Sequence, residues 1–378
     1  MHTDDGHQYA RLPEDLLATL LQRAPAAAQE VEALLLPALQ QRDQLRTAAE
    51  QSGLILTAQP AKSDTVCAVD GGFAVERTVA VDMVMAVAVG VEGFSGPGQP
   101  GREWDHNQYQ SFERVLVHNV DNERLARAAM IVHELGVLAD SPHLIRVYDG
   151  SHLTPIIQLN SGFSSADATV SGTSGDLAVD YDLVGSLESF VANPAIVAMP
   201  KYDSSRVIAD ALSKQIGLSI PGDDKYVTSM ILQPGEYTRP TKVEADPWRQ
   251  LHLFARQGSE LHNRNIVRAL DDIIQPLRDR RMYFLYWKPD EAAPTYRLEV
   301  KPEIAESSEH LHRLFASLQL QITGPFVREP YPQYLADVIA KSVGLGLSAL
   351  RAAAHLHLAR HHEELAPMLV QSYRTEGV

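Results

Sequence analysis

The sequence predicts an α/β protein, a mixed β-sheet flanked by helices, with helical extensions at both ends. Three observations carry this. Short runs of β-branched and small residues at 65–69, 143–148 and 195–199 stop abruptly at turn residues, as buried strands do. Ala- and Leu-rich stretches with helical spacing fill 13–52 and most of the chain after 305. Between the first two strand runs lies a third apolar stretch and then a helical pattern, so strands and helices are interleaved.

The N-terminal helical stretch carries Leu16, Leu17, Leu20 and Leu21, then Val31, Leu34, Leu35 and Leu39, and Pro37 should kink or divide it. This defines an N-terminal arm, residues 1–62. The first core strand, Thr65–Val69, ends in Asp70-Gly71-Gly72. A second strand is expected from Thr78 to Val91, followed by a Gly/Pro loop at 96–101 and a strand at Arg114–His118. Asp121 is a suitable N-cap for a helix from Asn122 to Ala139 that buries Leu125, Ala128, Val132 and Leu135. Ser141-Pro142 ends it, and His143–Tyr148 runs into Asp149-Gly150-Ser151. Strand, strand, strand, helix, strand is the element order of a ribonuclease H-like core.

Further on, Ser161–Asp180 reads as a loop, 183–191 as helix, 195–199 as a strand closing at Pro200-Lys201, and 204–215 as helix. A strand is expected to open at Asp223-Asp224-Lys225 and run to Leu232. Helix should dominate 247–279. The strands 282–287 and 295–300 form a hairpin across Lys288-Pro289-Asp290, and helices follow at 305–318 and 332–366. The core domain is thus 63–345 and the C-terminal extension 346–378.

The 378 residues are 45% hydrophobic and 21% charged, the profile of an ordinary globular protein. No run of some 18 apolar residues and no basic-then-apolar leader is present, so a soluble, cytoplasmic protein with no membrane contact is expected. The lone Cys67 sits mid-strand and excludes an intrachain disulfide. The net charge of −15 argues against free binding to nucleic acid, where affinity comes from Lys and Arg. No Gly-x-x-x-x-Gly-Lys-Ser/Thr loop occurs, so P-loop chemistry is absent.

The repeated strand–Asp–Gly device carries the chemistry. Two parallel strands ending in an acid and small residues can set Asp70 and Asp149 side by side, as a divalent metal site over a phosphate requires. A third acid must come from the intervening helix, where Glu123 and Glu134 compete, about 16 Å apart along the axis. A helix antiparallel to the strand carrying Asp149 brings its first turn level with that residue, which selects Glu123. Lys201, at a strand end, can meet a phosphate as a point charge. Asp224 suits a turn or cap better than a fourth ligand, and Arg297 and Glu299 can pair on one strand face. His355, His357, His361 and His362 lie on one helix without a zinc-protease spacing.

Six motifs occur in order: Val69-Asp70-Gly71-Gly72, Tyr148-Asp149-Gly150-Ser151, Met199-Pro200-Lys201, Gln233-Pro234-Gly235-Glu236-Tyr237, Tyr296-Arg297-Leu298-Glu299-Val300 and Pro330-Tyr331-Pro332. Together, over residues 63–345, they resemble the NurA nuclease family, which works with the hexameric DNA-translocating ATPase HerA. The resemblance implies a ribonuclease H-like fold and a homodimer. It implies 5′-to-3′ exonuclease and single-strand endonuclease activity on DNA ends, in end processing and recombinational repair. The cofactor would be Mn²⁺ or Mg²⁺, as two ions held by Asp70, Glu123 and Asp149, with Lys201 and Tyr331 positioning phosphate. Two departures stand out. Gly72 replaces the family's serine, and the Ala-His pair expected after the tyrosine reads Ala336-Asp337. The competing readings are an actin-like ATPase, for which Gly344 and Gly346 are a poor adenosine loop, and a non-catalytic partner subunit.

Overall fold

The computed structural model describes residues 13–100, 104, 108–165, 177–202, 204–243, 266–279, 282–324 and 326–370. Three helices come first, α1 (Glu14–Gln22), α2 (Ala24–Gln40) and α3 (Arg42–Gln51), then β1 (Ile55–Thr57). The antiparallel meander β2 (Val66–Arg77), β3 (Asp82–Glu92) and β4 (Gln108–Leu116) leads through α4 (Asn122–Asp140) to β5 (Ile145–Tyr148). Next are α5 (Thr154–Ser165), α6 (Leu183–Ala192), β6 (Ile196–Ala198), α7 (Val207–Ile216) and α8 (Asp224–Ile231). Then come β7 (Glu236–Thr238), β8 (Thr241–Lys242), α9 (Ile266–Asp279), β9 (Tyr283–Lys288) and β10 (Tyr296–Val300). The chain closes with α10 (Pro302–Ala305), α11 (Ser308–Gln319), α12 (Tyr331–Ala340), α13 (Val343–His361) and α14 (Ala366–Val370).

One mixed sheet runs β1-β7-β9-β10-β6-β5-β2-β3-β4, with β8 beside β9. Strands β2, β5 and β6 are parallel, in the register Val69–Tyr148–Ala198, and the remaining pairs are antiparallel. Side-chain alternation sorts the core onto two faces. Val69, Tyr148, Ile196 and Ala198 pack with α4, α5 and α6. Val66, Ala68, Val147, Val197, Leu298 and Trp287 pack with α11 on the opposite face. That second face is also covered by α12, where Ala336 meets Val89 and Val91. Among the described residues, no helix is long and apolar enough to cross a membrane.

Two consecutive glycines set how closely the helices approach β2. A Cβ on Gly71 would meet Met130 Cγ and Glu134 Oε1 of α4, both at 2.5 Å. A Cβ on Gly72 would collide with the carbonyl oxygen of Ala340, the last residue of α12. Glycine at 72 is therefore a steric requirement: the last turn of α12 lies against the backbone there.

Several expectations change. Residues 13–52 form three helices; α2 runs through Pro37 and ends at Gln41. The leucines of α1 and α2 are exposed, Leu21 by 64% and Leu34 by 63%. Asp70-Gly71-Gly72 does not end its strand, because β2 continues to Arg77 and turns at Thr78–Val81. The strand expected at 114–118 is instead β4, which begins at Gln108. Asp223 opens a helix and not a strand: its side chain accepts from the Tyr226 N–H at 2.8 Å, and Tyr226, Val227, Met230 and Ile231 follow helical spacing.

The boundary at 62 cuts through the sheet, since β1 pairs with β7 and Leu45, Ala48 and Ala49 of α3 are core residues. The boundary at 345 falls inside α13. Of the expected helix at 247–279 only Ile266–Asp279 lies among the described residues. The expected loop at 161–180 falls partly outside them, and its start belongs to α5.

The close approach of α12 yields a stability prediction. Gly72→Ser must push against a backbone carbonyl that cannot rotate away, so it should destabilise the fold by about 1–3 kcal/mol. Urea unfolding measures this; an unchanged midpoint would mean that α12 yields freely.

Candidate active site

The site forms where β5 and β6 stop while β2 continues. The β2–β5 pairing ends at Val69–Tyr148, so the next residues, Asp70 and Asp149, emerge side by side at the strand ends. The Gly71 N–H donates to Asp70 Oδ1 at 2.8 Å and fixes that carboxylate. Gly150 has φ 148°, a conformation favouring glycine, and a Cβ there would also meet the Tyr148 ring at 2.9 Å. Lys201 follows β6 and brings its Nζ to 2.7 Å from Asp149 Oδ2.

Two helices complete the cluster. From the α11 side, α12 supplies Asp337, whose carboxylate lies with those of Asp70 and Asp149 in a group of ligand atoms all within 4.8 Å of one another. Gln333, one turn earlier, donates from Nε2 to Asp149 Oδ1 at 3.0 Å, and its Oε1 is buried without a hydrogen-bond partner. Lys201 Nζ also pairs with Asp337 Oδ1 at 3.3 Å and Glu329 Oε2 at 3.2 Å. From the opposite face, α4 supplies Glu134, 2% exposed, with Oε2 buried and unpartnered.

Glu123 is not at this site. It lies in the first turn of α4, its side chain 57% exposed, 3.7 Å from Arg127 and beside a surface cleft with Val120 and Gln158. The selection of Glu123 set the first turn of α4 level with Asp149, as if the return strand matched the whole helix, but β5 spans only Ile145–Tyr148. Because β2 continues to Arg77, the first turns of α4 overlie its far half, where Arg127 stacks on Phe73, and the third acid reaches the cluster three turns later.

Tyr331 stands at the start of α12, stacked on Phe94 with ring centroids 5.1 Å apart, and the described contacts do not join it to the acids. Asp224 is a cap: its Oδ1 accepts from Ala209 N in the first turn of α7 and its Oδ2 from Ser205. Arg297 and Glu299 pair at 3.0 Å, and Glu299 Oε2 also accepts from Ser151 Oγ at 3.0 Å and His152 N at 2.9 Å. The turn after Asp149 is thereby tied to β10. His357 and His361 have rings 4.6 Å apart on the solvent side of α13, and Gly344 and Gly346 are helical.

Glu134, Asp337 and Gln333 are the residues that the sequence reading did not select. Glu134 had been weighed and set aside. Asp337 and Gln333 form an i, i+4 pair on a helix whose packing site nothing local reveals.

The electrostatics describe a cluster short of positive charge. Burial first, then the Asp149 charge, pushes Asp70 up to about 8. Burial, with Asp70 and Asp149 nearby, raises Glu134 well above the usual carboxylate range. For Lys201, burial favours the neutral amine, but its bonds to Asp149 and Glu329 outweigh this and raise its pKa. Oxygen-only donors with an unpartnered buried carboxylate oxygen fit a hard divalent cation such as Mn²⁺ or Mg²⁺.

The sign of the pH dependence follows. An unfolded aspartate titrates near 3.9, whereas folded Asp70 holds its proton to about 8, so the native state binds more protons in between. Stability from this group is complete below about pH 4 and is lost as pH rises through about 8. The melting temperature of the protein in EDTA should therefore fall from about pH 5 to about pH 8. Asp70→Asn should flatten that slope, and MnCl₂ should raise the melting temperature most at the alkaline end. A slope identical in Asp70→Asn would show that this carboxylate is not strained.

No protein-family model matches the chain, and a search of curated proteins finds no match in sequence. Solved structures do match. The NurA nuclease from Sulfolobus solfataricus aligns over 93% of this chain and 99% of its own, with a TM-score of 0.57 at 12% identity. NurA with manganese aligns over 86% of this chain and 97% of its own, with a TM-score of 0.47 at 13% identity. NurA bound to dAMP and manganese covers 84% and 92%, with a TM-score of 0.47 at 11% identity. Along nearly its whole length, the chain has the fold of the Sulfolobus solfataricus NurA nuclease.

Proposed function

We propose that this protein is a metal-dependent DNA nuclease whose site is the acid cluster where β5 ends beside the middle of β2. The observation that carries the reading is the convergence of the Asp70, Asp149 and Asp337 carboxylates within 4.8 Å of one another, with the buried, partly unpartnered Glu134 close enough to feel the charges of Asp70 and Asp149. The order β4-β3-β2-β5-β6, with α4 crossing from β4 to β5, supports a ribonuclease H-like core. In this reading Asp70, Glu134 and Asp149 hold Mn²⁺ or Mg²⁺. When bound, the cations neutralise phosphodiester charge and lower the pKa of a water molecule.

The chain's own groups do the positioning. The Gly71 N–H and the Gln333 amide fix the outer carboxylate oxygens of Asp70 and Asp149. Lys201, already ionised by its acidic neighbours, presents its ammonium to a phosphate at the mouth of the cluster. Tyr331, stacked on Phe94, stands at the start of the same helix as Asp337 and would position phosphate, as the resemblance implies. The resemblance adds the finer proposals: 5′-to-3′ exonuclease and single-strand endonuclease action, a HerA-type hexameric translocase as partner, and a homodimer. The exposed leucines of α1 and α2 would supply a contact surface for assembly.

The deciding assay is cleavage of labelled DNA with MnCl₂, with and without EDTA. Asp70→Asn, Asp149→Asn and Glu134→Gln should each lose more than about 100-fold, whereas Glu123→Gln should stay within a few-fold. Retained cleavage in Asp70→Asn and Asp149→Asn would overturn the site. Deleting residues 1–36, which spares Ala38 and α3, should lower the mass in sedimentation. An unchanged mass would assign the arm no role in self-association.

A further inference from the structure

We propose that Asp337, with Gln333 one turn before it, is a direct ligand of the divalent cation, making α12 a third ligand-bearing element. The inference rests on the reading of the cluster as a metal site and deepens it. Two observations carry it. The carboxylate atoms of Asp70, Asp149 and Asp337 lie within 4.8 Å of one another, the span of oxygens around one divalent ion with bonds of about 2.0–2.4 Å. Two polar atoms without hydrogen-bond partners, Glu134 Oε2 and Gln333 Oε1, belong to side chains only 2% exposed whose neighbours are these same acids. Such atoms are costly unless something else meets them.

Two cations pair with this cluster: Lys201, shared among Asp149, Asp337 and Glu329, and Lys341 of α12, whose Nζ lies 2.6 Å from Asp337 Oδ2. Among the described residues no ion pair joins either lysine to Asp70 or Glu134. Asp337 is also placed rigidly. Ala336 is fully buried against β3, and Ala340 abuts Gly72, so the helix delivers its carboxylate without an entropic penalty at binding. Gln333 keeps Nε2 on Asp149 and leaves a carbonyl oxygen for the cation or its water.

The rival account is that Asp337 merely balances the Lys201 charge. MnCl₂ titrations of the full chain without DNA, read by calorimetry and by the EPR signal of free Mn²⁺, separate the two. Asp337→Asn should weaken Mn²⁺ binding by about tenfold or more, and by the same factor in a Lys201→Met background. Lys201→Met alone should leave binding unchanged or tighter, since a competing cation is removed. An affinity unchanged in Asp337→Asn, or a loss that vanishes with Lys201→Met, overturns the inference. Asp70→Asn in the same titration separates the failures: if it too binds Mn²⁺ normally, the metal-site reading itself falls. Metal-free melting temperatures verify folding, and Asp337→Ser replaces Asp337→Asn if the latter does not fold.

Discussion

The arrangement depends on two helices touching the backbone of one strand from opposite sides at consecutive residues. At Gly71 the side chains of α4 occupy the volume of a Cβ, and at Gly72 the terminal carbonyl of α12 does the same. Because alternate residues of a strand face opposite ways, a glycine pair is the shortest device that opens both faces at one point. The opening coincides with the end of β5, where the sheet leaves one edge of β2 unpaired. Acids from three directions meet there: Asp70 and Asp149 from the strands, Glu134 from one helix and Asp337 from the other.

That convergence creates an electrostatic problem that the chain answers only in part. Buried carboxylates a few ångströms apart cannot all ionise without cations, and Asp70 and Glu134 accordingly keep raised pKa values. Lys201 offsets one charge, and its position across Asp149 and Asp337 is the position a positive ion would seek. The same arithmetic gives meaning to the net charge of −15. A protein this acidic gains little from long-range attraction to a polyanion, so the proposed hold on phosphate would be local, through cations and a few ammonium groups at the site.

How much of this was legible in the sequence follows from the range of each signal. Asp149 and Lys201 were readable because a buried apolar run stopping at a charged residue marks a strand end, and parallel strand ends lie together; Asp70 was readable because the buried run before it pairs with β5, although β2 continues past it. The strand–strand–strand–helix–strand order was readable for the same reason. Glu134 was visible but misjudged. Its placement turned on how far α4 overshoots the return strand, and a 19-residue helix above the four-residue β5 carries its first turns well past Asp149. Asp337 and Gln333 carry no local mark at all. Their significance comes from α12 docking on β2 across more than 260 residues of intervening chain, a fact held in Gly72 and Ala340 jointly and in neither alone.

The far half of the sheet belongs to the site as well. Glu299, on β10, is nearly fully buried; burial opposes its charge, yet the His152 hydrogen bonds and Arg297 hold its pKa down to about 2. Its second oxygen accepts from Ser151 and from the His152 backbone, so a fixed negative charge grips the turn that carries Asp149. A buried pair of this kind adds little net stability, and removing one partner costs about 3–5 kcal/mol because the other is stranded. Its value lies in geometry. Asp149 is followed at once by Gly150, with φ 148°, a joint with no side chain to stiffen it. The Arg297–Glu299 pair supplies the missing stiffness from two strands away, which gives β10 a part in positioning Asp149 and not only in the core.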